Sequence, residues 1–187
     1  MLEINSPIKE MQNYNNFSIE EKNPVTKVNL RGNVNNKDFI SKVGKILGII
    51  LPVEIGGITI KEDISIVCAG PNEWLIISNY TLKKNSNNLE LENILFDNIS
   101  KTDLGAVTNV TDQFTIFSLK GSNIHEVLSK SSPFNFDNLS DNSSAQTLLN
   151  NIDVTIVKKD NENMDLLVRK SFSEHLWDWI KDSANLT

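Results

Sequence analysis

Cysteine is nearly missing from this chain. Cys68 stands alone among 187 residues, so no internal disulfide can form. Histidine is almost as scarce. His125 and His175 lie 50 residues apart, and with one cysteine they make no recognisable metal-ligand spacing. Positive charge is short as well: 18 Lys and Arg against 24 Asp and Glu leave a net charge of −6 and a pI near 5.0. A general nucleic-acid binder needs a basic surface, and an anionic membrane would repel this chain, so neither partner is expected. Long apolar runs are absent too. The best candidate, 46–60, is broken by Gly48, Pro52, Glu54 and Gly56-Gly57, and it falls below the roughly 20 residues that span a bilayer. The opening Met1-Leu2-Glu3-Ile4-Asn5 lacks the apolar run of a signal peptide, which points to a cytoplasmic protein.

What is present is ordinary globular material, with 39% hydrophobic and 22% charged residues, enough to bury a core without staples. Residues 1–24 are polar, Asn-rich and without sustained period, and read as an N-terminal arm ahead of one domain over 25–187. Residues 25–31 alternate as a strand. Phe39, Val43, Ile46, Leu47 and Ile50 then recur at helical spacing, which predicts an amphipathic helix weakened at Gly48 and stopped by Pro52. Gly56-Gly57 marks a tight turn. Strands are expected at 64–69 and 74–77, separated by Gly70-Pro71-Asn72. A loop is expected at 83–88, then a helix over 89–100 with Leu91, Ile94, Leu95 and Ile99 on one face.

Beyond residue 100 the plan recurs. Strands are expected at 106–110 and 114–119. A helix with Ile124, Val127 and Leu128 inward follows, with Ser122 as its cap and Pro133 as its stop. Three more strands, 145–149, 154–157 and 165–168, lead to a last helix from Ser171, where Ser171 and Glu174 fit a capping box. Leu30-Arg31-Gly32-Asn33 matches Leu119-Lys120-Gly121-Ser122 at an offset of 89, and Trp74-Leu75-Ile76-Ile77 matches Asp165-Leu166-Leu167-Val168 at 91. Two similar offsets predict a duplicated strand–helix unit, with halves at about 25–100 and 101–187. Strands and helices in this order predict an α+β fold, two repeated halves in one compact domain.

Reactive groups are hard to find. Cys68 sits inside the apolar run Ile64-Ser65-Ile66-Val67-Cys68-Ala69 and is expected to be an inert buried thiol. Gly-x-Ser-x-Gly, Gly-x-Gly-x-x-Gly and the P-loop pattern are all missing. Arg31-Gly32 and Lys120-Gly121 join a cation to a strand-to-helix turn, for which turn chemistry is the better account. Trp177 and Trp179 lie two apart on the last helix and so point about 200° apart. Grouping Phe172, Leu176, Trp179 and Ile180 on one face makes Trp179 core and turns Trp177 outward, as a contact for a partner. No catalytic residue and no metal ligand is assigned.

The run Ala145-Gln146-Thr147-Leu148-Leu149, Val154-Thr155-Ile156, and Leu166-Leu167-Val168-Arg169-Lys170-Ser171-Phe172-Ser173-Glu174-His175-Leu176-Trp177-Asp178-Trp179 resembles the gamma subunit of heterotetrameric sarcosine oxidase. Leu30-Arg31-Gly32, Gly70-Pro71-Asn72-Glu73-Trp74-Leu75-Ile76 and Leu119-Lys120-Gly121-Ser122 fit the same family. The resemblance implies alpha, beta and delta partner subunits and oxidative demethylation of sarcosine to glycine, with the one-carbon unit passed to tetrahydrofolate. It implies that the flavins (FAD and FMN), NAD, tetrahydrofolate and zinc belong to those other subunits, with no cofactor in this chain. It also implies a fold like the folate-binding domain of the glycine-cleavage aminomethyltransferase. Where those enzymes carry an Asp-Asp pair, this chain reads Asn151-Ile152-Asp153, and their Asp-x-Ser-His becomes Asn109-Val110-Thr111-Asp112. Asp153 is therefore a weak folate candidate. A free-standing folate-binding protein and the same subunit of a complex acting on another N-methyl amino acid are the alternatives.

Overall fold

A computed structural model of the chain describes residues 6–8, 10–81 and 90–187. The loop expected at 83–88 lies outside the described residues. The chain forms two compact units. One comprises Val25–Thr111; the other combines Met1–Pro24 with Asp112–Thr187.

In the first unit, β3 (Val25–Gly32), β4 (Ile58–Lys61), β5 (Ile64–Gly70), β6 (Glu73–Thr81) and β7 (Gly105–Asn109) form an antiparallel sheet in the order β4-β5-β6-β3-β7. Helix α1 (Lys37–Leu47) buries Phe39, Val43 and Leu47 against Val28, Leu30, Trp74 and Ile76 of the sheet. The Asn36 side chain caps it, accepting from the amides of Asp38 and Phe39 at 2.9 and 3.3 Å. Helix α2 (Glu90–Leu95) runs on into a π-helical turn, Phe96–Ser100, and supplies Leu95 and Ile99 to the same core. Ile50 does not join the α1 stripe as expected; it is 80% exposed. Gly48 takes the left-handed conformation (φ 64°) and ends the helix, so the helical phase stops before Ile50, and Ile49 and Leu51 turn inward instead. Ile94, expected on the buried face of its helix, is also largely exposed.

In the second unit the antiparallel order is β1-β2-β8-β11-β10-β9, with β1 Met11–Tyr14, β2 Phe17–Glu21, β8 Phe114–Lys120, β9 Ser143–Leu149, β10 Ile152–Asp160 and β11 Asn163–Arg169. Helices α3 (Ile124–Ser129) and α4 (Ser173–Asn185) cover one face. Ile124, Val127, Leu128, Leu176, Trp177 and Ile180 pack on Phe117, Leu119, Ile156 and Leu166. The β9–β10 hairpin closes through Asn150-Asn151, both at positive φ (48° and 62°), while Leu149 pairs with Ile152. That is the two-residue turn whose twist suits a hairpin, and Asn tolerates its left-handed backbone.

Two caps differ from expectation. The α3 N-cap position falls on Asn123 rather than Ser122, and no side chain caps it. The Ser171–Glu174 capping box does not form, because Lys170–Phe172 close a 3-10 turn that delays α4 to Ser173. The Ser173 hydroxyl instead donates to the Lys170 carbonyl at 2.7 Å.

The duplication is visible in the registers. Leu30 pairs with Trp74 in one sheet, and Leu119 with Met164 in the other. Trp74 thus corresponds to Met164, an offset of 90, not to Asp165. Both are core residues, and in a strand a one-residue slip would place a charge where the other half has an indole. The halves are divided differently from expectation. Strand β7 pairs with β3 (Val107 opposite Leu30), so the first unit extends to Thr111 rather than about 100. The segment read as an arm supplies β1 and β2, and β2 pairs with β8 (Ile19 opposite Leu119). Each repeat therefore begins with a strand that joins the sheet of the other repeat. Gly32 and Gly121 share a cause: a Cβ on Gly32 would strike the Phe39 ring, and one on Gly121 (φ 120°) would strike the Asn16 carbonyl.

Candidate functional site

An open groove of about 610 Å³ in the first unit lies at the Arg31-Gly32 turn singled out in the sequence, lined also by Asn33, Asn72, Glu73 and Gly105. Among the described residues, its one ion pair joins Arg31 to Glu73 and leaves the Arg31 side chain largely exposed. Arg31 Nη2 lies 3.0 Å from Glu73 Oε1, and Asn29 Nδ2 donates to the same oxygen at 2.7 Å. Partial burial pushes the Glu73 carboxyl up. The Asn29 and Arg31 hydrogen bonds and the Arg31 charge outweigh it and hold the group below its ordinary value. The turn amides are also engaged: Gly32 N–H donates to Asn72 O, Val34 N–H to Asn72 Oδ1, and Asn36 N–H to Asn33 O. This is turn chemistry, with these three amides already used.

The remaining candidates lie apart in the sequence and on different elements. Asp153 is exposed on β10, opposite Leu148 of β9. The altered motif at 109–112 has structural work: Asn109 Oδ1 accepts from Thr111 N–H at 2.8 Å, and the buried Thr111 Oγ1 accepts from Lys27 N–H at 3.0 Å. Cys68 is buried; its thiol donates to Gly70 O, and burial pushes its pKa up, away from the nucleophilic thiolate. His175 is exposed, with Nε2 3.1 Å from Asn150 Nδ2. His125 is half-buried. Its Nδ1 lies 3.4 Å from Asp137, and its Nε2 is buried without a partner. Among the described residues no group of three or more His, Cys, Asp and Glu is placed to hold a metal ion.

Trp177 is where the structure departs most from the sequence reading. It is 2% exposed, and its ring stands edge-on to Phe117 with centroids 5.3 Å apart. Trp179 is the half-buried one, at the margin of the same core. The stripe on α4 runs Ser173, Leu176, Trp177, Ile180 and Ala184, which is i, i+3, i+4, i+7 and i+11. Phe172 belongs to the 3-10 turn and is largely exposed, so it cannot define the buried face. The indole of Trp177 thus has no free surface to offer a partner, and its expected interface role is withdrawn.

Sequence reasoning missed a charged cluster in the second unit. Lys22, just after β2, lies 2.7 Å from Asp165 of β11, and Lys159 of β10 lies 3.0 Å from the same carboxylate. Burial lowers the Lys22 pKa more than Asp165 raises it. The residues are 143 apart in sequence, so no local spacing could have signalled the pair.

The architecture defines a class before it defines a family. Similar structures include glycine cleavage system aminomethyltransferase T from Bartonella henselae, at TM-score 0.59 and 13% identity over 87% of this chain and 44% of that one. A chain of the heterotetrameric sarcosine oxidase from Corynebacterium sp. U-96, solved in complex with pyrrole 2-carboxylate, gives TM-score 0.78 at 22% identity, covering 90% of this chain and 84% of that one. The fold is therefore the α+β fold shared with aminomethyltransferase. The family model for the sarcosine oxidase gamma subunit matches residues 31–185, and this chain belongs to that family. No curated protein matches it in sequence.

Proposed function

We propose that this chain is the gamma subunit of a heterotetrameric sarcosine oxidase and contributes surface rather than chemistry. Family membership over residues 31–185 carries the reading. The paired Arg31–Glu73 and the protonated, buried Cys68 support it, since neither is poised to react. In this reading alpha, beta and delta subunits are the partners. FAD, FMN, NAD, tetrahydrofolate and zinc reside on them, and the complex demethylates sarcosine oxidatively in the cytoplasm. No described helix is long and apolar enough to cross a membrane.

The test is spectroscopic. The purified chain should be colourless and inactive on sarcosine, and after co-expression it should elute with flavin absorbance. Elution apart from the flavin-bearing subunits would overturn the proposal. The likeness to aminomethyltransferase T supports a second reading, a folate-binding protein using Asp153. That reading requires saturable binding of a tetrahydrofolate that is lost in Asp153→Ala, and a flat calorimetric titration removes it.

A further inference from the structure

In the second unit two amines share one carboxylate oxygen. Lys22 Nζ and Lys159 Nζ lie 2.7 and 3.0 Å from Asp165 Oδ2, so the two nitrogens are no farther apart than the sum of those distances. The other oxygen, Oδ1, is buried and has no partner among the described residues. The carboxylate is therefore not divided between the cations; both crowd onto one atom of it. The strand order β2-β8-β11-β10 brings the three residues together from distant parts of the chain. Their side chains lie at graded depth: Asp165 is 11% exposed, Lys22 30% and Lys159 41%.

One acid for two ammonium groups leaves a net positive charge in a partly buried place. Releasing one proton from the trio leaves a single Lys–Asp ion pair and a neutral amine, with less charge held out of water. Burial pushes the Lys22 pKa down, Asp165 pulls it part of the way back, and Lys159 pushes it down again. Lys181 on α4 is the contrast. Its side chain is 31% exposed, and it has an aspartate of its own, Asp178, at 2.9 Å. Its pKa is raised, chiefly by the hydrogen bond to Asp178. The second cation and the depth of its setting are what set Lys22 apart. A lysine desolvated beside another cation is activated as a nucleophile toward carbonyl carbon.

We infer that Lys22, with Lys159 beside it, is a carbonyl-reactive amine site that takes small aldehydes. One ammonium proton leaves to water, and the Lys22 nitrogen adds to the aldehyde carbon. The carbonyl oxygen takes a proton from that nitrogen and becomes a hydroxyl. The hydroxyl leaves with the remaining N–H proton as water, and a C=N bond forms. Amine and aldehyde thus give imine and water, with no oxidant or reductant. Lys159 stays charged and keeps its ion pair with Asp165. The site is separate from the assembly role proposed above and stands whether or not that reading does.

Formaldehyde with cyanoborohydride, applied briefly to the full chain at neutral pH, tests it. The hydride traps the imine as N-methyl-lysine, and peptide mapping reads the extent at each lysine. Lys22 should be methylated severalfold faster than Lys181. In urea, where the three residues are no longer held together, the two lysines should react alike. Lys159→Met, shown by melting to be folded, should bring Lys22 down to the rate of Lys181. Equal rates at Lys22 and Lys181 in the folded wild type would overturn the inference, and so would a difference that urea leaves unchanged. A fast Lys22 in folded Lys159→Met would overturn it as well. If that variant does not fold, the wild-type ratio with and without urea decides.

Discussion

Replacing Trp177 by Ala should destabilise the second unit. The indole is almost fully buried and edge-on to Phe117, between Leu176 and Ile180. A buried Trp removes about 150–250 Å² from water, and truncating one to Ala costs about 3–5 kcal/mol once the cavity is included. The aromatic pairing with Phe117 contributes about 0.5–1.5 kcal/mol of that kind of loss. With a urea slope of about 1–3 kcal/mol per molar, the midpoint should fall by roughly 1–5 M. Trp179→Ala, at the margin of the core, should cost about 1 kcal/mol. Urea unfolding followed by far-UV circular dichroism measures both. A Trp177→Ala cost below about 1 kcal/mol, with a larger one for Trp179→Ala, would show that the stripe on α4 is the one through Phe172 and Trp179, and the packing argument would fail.

Three other outcomes follow from the same geometry. Ile19→Ala, in the strand that precedes the family-matched region, should destabilise the second unit by about 2–5 kcal/mol in urea unfolding, because Ile19 is fully buried opposite Leu119; a change under about 0.5 would deny β2 its place in that core. Asn151→Ala should cost about 1–2 kcal/mol in thermal melts while Asn151→Gly costs little or stabilises, since position 151 holds φ 62°; equal effects would contradict the hairpin turn. Glu73→Gln should flatten stability on the acid side. The Glu73 pKa is lower folded than its ordinary 4.5, so its contribution is full above that value and is lost as pH falls through the folded pKa; an unchanged acid limb in pH-dependent melts would refute the Arg31–Asn29–Glu73 cluster.

Much of the fold was legible because local patterns and packing agreed. The strand expected at 25–31 forms, although Val25–Val28 are buried on both faces rather than alternating, and the Phe39–Val43–Leu47 stripe and the inward trio Ile124, Val127 and Leu128 sit as periodicity requires. What was not legible depended on phase or on distance. Ile50 continues the helical spacing on paper, but Gly48 resets the backbone before it. On α4, Leu176 and Ile180 fit two overlapping stripes. Large aromatics favoured the one through Trp179, whereas the small Ser173, Ser183 and Ala184 mark the face that is buried. Ser183 Oγ even donates to the Val127 carbonyl there, at 2.8 Å. The repeat was visible, but its second offset was one too large, since apolar strings slide past each other without cost until a partner strand sets the register. The exchange of leading strands could not be read at all. Residues 17–21 have good strand chemistry, but nothing in them names a partner about 100 residues away. For the site, the lone cysteine already suggested an inert thiol, while the Lys22–Asp165 pair needed three dimensions.

The central claim is that this chain works by joining a complex. Sedimentation of the chain alone and after co-expression with alpha, beta and delta tests it most directly. The account predicts that the 21.0 kDa chain moves entirely into a stoichiometric, flavin-containing complex. A chain that still sediments alone beside an assembled complex of the other three would contradict it.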